Sequence, residues 1–151
     1  MMRGRDEHRN RRLLHATSLN NQLADVIPEE RWGESVHEQL GTPSQLFAHL
    51  IRVRLVYRSA LFSGKVQFPG EKVPDDAPVR SLLLSSAERL AEAFLYTEKN
   101  HITFDDRAIT PVELMQIAVQ HEGIHTGQYY VALKQSGYPV PTQWQTDWAL
   151  T

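Results

Sequence analysis

Four stretches of the chain repeat apolar residues at steps of three and four positions, which is the spacing of one face of an α-helix. They cover residues 6–24, 43–62, 78–98 and 110–137. The sequence contains no convincing sheet pattern and no internal repeat. The pattern therefore predicts an all-α domain, and the natural packing of four such helices is an antiparallel four-helix bundle.

The last of these helices is the best defined. Thr110 is a suitable N-cap, Pro111 suits the first helical position, and Glu113 completes a capping box. Gly137 is expected to end this helix. Thr42, which a proline follows, provides the same kind of start for the second helix. Local chemistry thus predicts where both helices begin.

Three segments outside the helices have their own patterns. Residues 63–78 hold two glycines, three prolines and several charges, which predicts a long surface loop between the second and third helices. Residues 102–109 are β-like around a turn and predict either a small hairpin or an extended connector. The tail, residues 138–151, contains Trp144 and Trp148. We expect it to be irregular and to pack back on the bundle or against a second subunit.

Composition limits the function classes to which the chain can belong. Its 151 residues are enough for one domain, and 41% apolar and 23% charged residues are typical of a soluble globular protein. A formal net charge of -2 makes nucleic acid an unexpected main partner. The arginines in residues 1–12 leave a basic arm, a solvated first turn or a frayed end as alternatives. No apolar run approaches the roughly 20 residues of a membrane span, and no signal peptide is recognisable, so we expect a cytoplasmic protein.

Histidines are the candidate metal ligands, because the chain has no cysteine. His121 and His125 are four residues apart, which places both on the apolar face of the fourth helix. Burying two unpartnered imidazoles is costly, so they either hold a metal or form ordinary hydrogen bonds. His49 shares a face of the second helix with apolar residues, roughly opposite Arg54 and Arg58. It is predicted to point into the core, where a backbone carbonyl or a metal would be its partner.

Residues 121–125 also spell H-E-x-x-H, the metalloprotease signature in which the glutamate is the general base. The extended signature fails, because Gln128 and Val131 stand where its glycine and third histidine should be. The other form needs a downstream acidic ligand, and the only acid after Glu122 is Asp147 in the tail. A protease is therefore disfavoured. Glu122 could act as a base, support the ligands or be merely exposed, and Gln128 could orient a water or ligand or make a structural hydrogen bond.

Residues 47–54 and 121–128, which read FAHLIRVR and HEGIHTGQ, resemble the DinB/YfiT-like superfamily of metal-binding four-helix bundles. The resemblance extends over nearly the whole chain in order and spacing, and it is weaker in the first helix. It implies a single DinB-like domain and a homodimer, as in many members. It also implies one divalent metal ion, often nickel or zinc, held by His49, His121 and His125.

The family includes transferases of low-molecular-weight thiols and thiol-dependent isomerases. The first functional hypothesis is therefore a metal-dependent enzyme of the thiol S-transferase type that acts on small molecules. It would use nickel or zinc, with iron or manganese as alternatives, and a low-molecular-weight thiol as co-substrate. Glu122 and Gln128 are the candidate catalytic residues. The alternatives are metal-assisted hydrolysis of a small ester, amide or phosphate, and a non-catalytic, metal-stabilised binding module of the stress response.

Overall fold

The computed structural model describes residues 3–147. Most of them are helical, in α1 (Arg3–Asn21), α2 (Leu23–Val26), α3 (Pro43–Ser63), α4 (Val79–Tyr96), α5 (Pro111–Ser136) and α6 (Thr142–Asp147), with a 3₁₀ turn at Glu29–Arg31. Strands β1 (Ile102–Phe104) and β2 (Arg107–Ile109) form an antiparallel hairpin. The predicted all-α class is confirmed. Of the two alternatives for residues 102–109, the hairpin is the one observed.

Capping boxes set the starts of the two helices that carry the candidate histidines. At α5 the Thr110 hydroxyl accepts from the Glu113 N–H at 3.2 Å, and the Glu113 carboxylate accepts from the Thr110 N–H at 3.1 Å. Thr42 and Gln45 form the same pair of hydrogen bonds at α3, at 3.2 and 2.9 Å. Gly137 follows the end of α5 with a φ of 80°, a conformation that glycine adopts without a side-chain clash.

The long helices pack around an apolar interior. Helix α1 contacts α4 and α5, and α3 also contacts α4 and α5. The most deeply buried apolar side chains of α1, α3 and α4 include Leu13, Leu19, Phe47, Leu50, Leu61 and Leu83. Each such side chain stabilises the fold by about 1.5–3 kcal/mol through removal of apolar area from water.

Within residues 3–147, no helix has the length and apolar character needed to cross a membrane.

The prediction of an irregular tail is wrong for residues 142–147, which form α6. Trp144 in this helix is fully buried, and its Nε1–H donates to the backbone oxygen of Leu19 at 2.9 Å. Asp147 lies 3.2 Å from His15 of α1. The tail therefore packs on the helices of its own chain, and these contacts stabilise α6. Trp148 lies outside the described residues.

Hydrogen bonds hold the predicted surface loop against both the hairpin and α3, from backbone to backbone at the hairpin and from the Arg52 side chain at α3. The N–H of Thr103 donates to the oxygen of Gly64 at 2.8 Å, and the N–H of Val66 donates to the oxygen of Thr103 at 2.9 Å. Further along, the oxygen of Gly70 accepts from Nη2 of Arg52 at 3.0 Å. The first part of the loop thus lies along the helix that carries His49.

Candidate metal centre

Three histidine side chains from two helices meet at the edge of the interior. Helix α3 supplies His49, and α5 supplies His121 and His125 on one side of the helix. Nε2 of His121 lies 2.9 Å from Nε2 of His49 and 3.2 Å from Nε2 of His125. One ring nitrogen from each histidine lies within 4.8 Å of the other two. The structure brings together all three predicted ligands, and metal binding itself stays a prediction.

The donor atoms fit a divalent ion. Three imidazole nitrogens that bind a tetrahedral zinc ion at 2.0–2.1 Å lie about 3.3 Å from one another. Two of the three separations, 2.9 and 3.2 Å, are close to this value, and the third pair, His49 and His125, lies within 4.8 Å. An all-imidazole set also suits nickel or iron. The cluster among residues 3–147 contains no carboxylate, so its chemistry is that of neutral nitrogen donors.

The pKa values of His121 and His49 are both lowered, which favours the neutral form that binds a metal. Burial, reinforced by the charge of His125, lowers the pKa of His121 from 6.5 to about 4. Burial and then His125 also lower the pKa of His49. Both rings are therefore neutral at pH 7, which leaves each with one nitrogen lone pair. Nδ1–H of His125 donates to Oε1 of Gln128 at 3.1 Å, and this tautomer leaves the lone pair on Nε2, the atom that faces His121.

His49 and Arg54 have environments opposite to those predicted. His49 is exposed at the edge of the interior, so the prediction that it points into the core is wrong. Arg54, predicted to lie on the opposite face, is 1% exposed. The buried face of α3 includes Leu50 and Ile51, which lie four and three positions before Arg54. An arginine can be buried on this face because Glu122 compensates its charge.

Glu122 lies beside His121 in the sequence, and a buried network holds its carboxylate. Arg54 donates from Nε to Oε1 at 2.6 Å and from Nη2 to Oε2 at 3.2 Å. Asn20 donates from Nδ2 to Oε2 at 2.6 Å and to the Glu122 backbone oxygen at 2.9 Å. The hydroxyl of Thr126 donates to Oδ1 of Asn20 at 2.8 Å. The network joins α1, α3 and α5 next to the histidine cluster.

These contacts bear on the two residues predicted to be catalytic. Both carboxylate oxygens of Glu122 accept hydrogen bonds in the interior, and the side chain is 2% exposed, so its visible task is to hold α5 against α3. A proton-transfer role for Glu122 stays a prediction. Gln128 is exposed and touches His125, which places it to orient that ring. Sequence reasoning missed Arg54, although the apolar residues at helical spacing around it were a usable signal. It also missed Asn20 as a member of the site, although Asn20 lies at helical spacing from Leu13 and Ala24 in the first helix.

A cavity of about 400 Å³ opens beside His49. It is lined by α3 and by the loop that runs along it, through Gln45, Ala48, His49, Arg52, Val53, Phe68 and Pro69. Its size is within the range of about 300–1,000 Å³ for small-molecule sites. A larger cavity of about 700 Å³ lies between α1, α5 and α6, and none of the three histidines lines it. The smaller cavity is therefore the one that a ligand of the cluster would occupy.

Comparison with known proteins agrees with the resemblance found in the residues. The sequence model of the DinB family matches residues 6–148. Among solved structures, the fold is similar to the crystal structure of the DinB-like protein YjoA from Bacillus subtilis, with a TM-score of 0.71. The two sequences are 17% identical over 87% of this chain and 94% of that one. No curated protein sequence matches the chain.

Proposed function

The chain belongs to the DinB family, and from this premise we propose that it binds one divalent metal ion through His49, His121 and His125. We propose further that it is a metal-dependent enzyme of the thiol S-transferase type that acts on small molecules. The convergence of three Nε2 atoms from α3 and α5 is the observation that carries the proposal. Nickel and zinc suit the donor set best, with iron and manganese as alternatives.

A divalent ion held by three imidazoles keeps an open coordination position at which it lowers the pKa of a thiol or water. The residues of the chain provide the surroundings of that position. Gln128 selects the tautomer of His125 that directs a lone pair toward the cluster. The buried ion pair of Arg54 and Glu122 connects the two helices that supply the histidines, so it fixes their separation.

The cavity of about 400 Å³ beside His49 is the proposed binding site for the small-molecule substrate. Val53 and Phe68 give it apolar walls, and Gln45 and Arg52 add polar groups. The exposed position of His49 leaves the cluster accessible from this side, so a low-molecular-weight thiol and an electrophile can both approach it. Hydrolysis of a small ester would use the same cavity, and the turnover experiment below separates the two reactions.

We also propose that the helices form an antiparallel bundle. We propose further that the chain forms a homodimer. Ile124 and Val131 on α5 are 60% and 53% exposed and lie two turns apart on one side of the helix. Two large apolar side chains on one exposed face support a subunit interface there. Light scattering should give the mass of a dimer for the wild type and a smaller mass for Ile124→Lys. A monomeric wild type would contradict this part of the proposal.

Metal analysis of tag-free protein tests the binding site. The wild type should hold about one ion per chain, and His49→Ala and His121→Ala should lose most of it. His101→Ala is the matched control, because it removes an exposed histidine outside the cluster. Full metal occupancy in His49→Ala would show that the three-histidine site is wrong.

Mass spectrometry of conjugates tests the reaction. Metal-loaded protein is mixed with a low-molecular-weight thiol and an electrophile, and the conjugate should exceed that formed by metal-free protein and by His49→Ala. Ester hydrolysis without thiol, at a rate that rises as bound water deprotonates, would favour the hydrolase instead. Full metal occupancy without turnover in either assay would indicate the non-catalytic module.

A further inference from the structure

Arg52 occupies an unusual place beside the histidine cluster. It follows His49 by three residues on α3, so the two side chains are neighbours on the helix surface. Both side chains line the cavity of about 400 Å³. Phe68 and Pro69 of the loop also line it, and Phe68 is 51% exposed.

The guanidinium of Arg52 is only partly used by the protein. Nη2 donates to the backbone oxygen of Gly70 at 3.0 Å, which fixes the side chain against the loop. Nε has no hydrogen-bond partner among the described residues and is enclosed by protein, so only the terminal nitrogens can meet a ligand in the cavity. None of the ion pairs among the side chains of residues 10–147 includes Arg52. Arg54, two residues later, differs in that Glu122 compensates its charge.

A half-buried cation that lines a cavity and has no counter-charge calls for an anion. The planar guanidinium matches a carboxylate, which can accept two parallel N–H bonds from it. One arginine balances a single negative charge better than the double charge of a phosphate monoester. The apolar walls at Val53 and Phe68 suit a hydrocarbon or aromatic body attached to the carboxylate.

We propose that Arg52 is the anchor for a small carboxylic acid, which binds in the cavity with its carboxylate on the guanidinium and its body against Phe68. This deepens the proposed function, because it names the substrate class of the same site, but binding to Arg52 needs no metal. Arg52 is then a specificity-determining residue, and neutral molecules of the same shape are poorer ligands.

Ligand-observed NMR on metal-free protein tests the anchor with benzoate and benzamide as probes at millimolar concentration. The wild type should bind benzoate about tenfold more tightly than benzamide, since a charge-assisted hydrogen bond is worth roughly this much. Arg52→Gln should remove the preference, and Arg52→Lys should keep part of it. Arg58→Gln is the matched control on the same helix, because Arg58 lies over Phe62 and does not line the cavity. It should keep the full preference.

Three results would overturn the proposal. The first is equal binding of benzoate and benzamide to the wild type. The second is an equal loss of the benzoate preference in Arg52→Gln and Arg58→Gln. The third is displacement of bound benzoate by inorganic phosphate at a concentration lower than that of benzoate. Zinc titration of the same variants separates this inference from the proposed function. Failure of the wild type to bind zinc, with the benzoate preference intact, would refute the metal site alone. Zinc binding without a benzoate preference would refute the anchor alone.

Discussion

Replacing Glu122 by Gln tests whether the buried ion pair with Arg54 holds α5 against α3. Both residues are 1% exposed, and Nε of Arg54 lies 2.6 Å from the Glu122 carboxylate. The substitution keeps the volume of the side chain, but an amide offers only one oxygen where the carboxylate accepts from Arg54 at Oε1 and from Asn20 at Oε2. It removes the negative charge, so the guanidinium is left in the interior without a counter-charge.

The size of the effect follows from what Arg54 keeps. Removing one partner of a buried ion pair costs about 3–5 kcal/mol. Arg54 retains four neutral acceptors: Oδ1 of Asn21 at 3.0 Å, the backbone oxygen of Leu83 at 2.9 Å, and Oγ of Ser86 and the backbone oxygen of Thr17 at 3.4 Å. These contacts place the loss at the low end of that range. We therefore expect a loss of about 3 kcal/mol in the free energy of unfolding. For a domain of this size that corresponds to a fall in Tm of about 6–12 °C.

Urea unfolding of metal-free protein, followed by circular dichroism, measures the loss. Glu34→Gln breaks the exposed pair between Arg31 and Glu34, and it should leave stability unchanged within error. The double substitution Arg54→Met with Glu122→Leu replaces the pair by apolar side chains and should recover most of the loss. A loss below about 1 kcal/mol in Glu122→Gln would refute the reasoning. So would a double variant no more stable than Glu122→Gln.

Three further predictions concern other parts of the chain. In metal-free protein, the free energy of unfolding should rise with pH between about 4 and 6.5, because folded His121 stays neutral where the unfolded chain binds a proton. Urea unfolding at a series of pH values measures this rise. If the free energy of unfolding of His121→Asn had the same slope against pH as that of the wild type, the prediction would be contradicted. Gly123→Ala should stabilise the protein by about 0.5–1 kcal/mol, because an added Cβ meets no atom within 4 Å in mid-helix, whereas Gly70→Ala should destabilise it, because φ is 75° and the Cβ would collide with Val56. Thermal melts that shift in the same direction for both variants would be the contrary result. Trp144→Ala should cost about 3–5 kcal/mol in urea unfolding because the side chain is fully buried, and a wild-type midpoint would mean that α6 is not docked.

Local chemistry was sufficient to predict the helices that carry the site. The apolar spacing and the caps predict 43–62 and 110–137, and the structure has Pro43–Ser63 and Pro111–Ser136. Helix α6 could not be predicted in this way, because a six-residue helix gains little from its own hydrogen bonds. Its stability comes from docking Trp144 against Leu19, a contact between residues 125 positions apart.

The three histidines could be predicted, but their surroundings could not. The spacing of His121 and His125 fixes their common face, and the family resemblance adds His49. The apolar residues at helical spacing around Arg54 indicate its buried face, but a charged side chain belongs there only with a counter-charge, and that partner lies 68 positions away. The predicted solvent-facing position of Arg54 is therefore wrong. The same error turned His49 inward. The cavity beside His49 depends on the path of the loop. Hydrogen bonds at Gly64 and Gly70 determine that path.

Within six consecutive positions of α3, three side chains have different environments. His49 belongs to the cluster, Arg52 lines the cavity and Arg54 is buried in the interior. A single inserted or deleted residue between positions 49 and 54 would turn one end of the helix by about 100° relative to the other. The cluster and the ion pair could not then both form, since both join α3 to α5. We therefore expect insertions and deletions to be tolerated only outside this interval. An engineer who wishes to alter the substrate should exchange side chains here and leave the spacing intact.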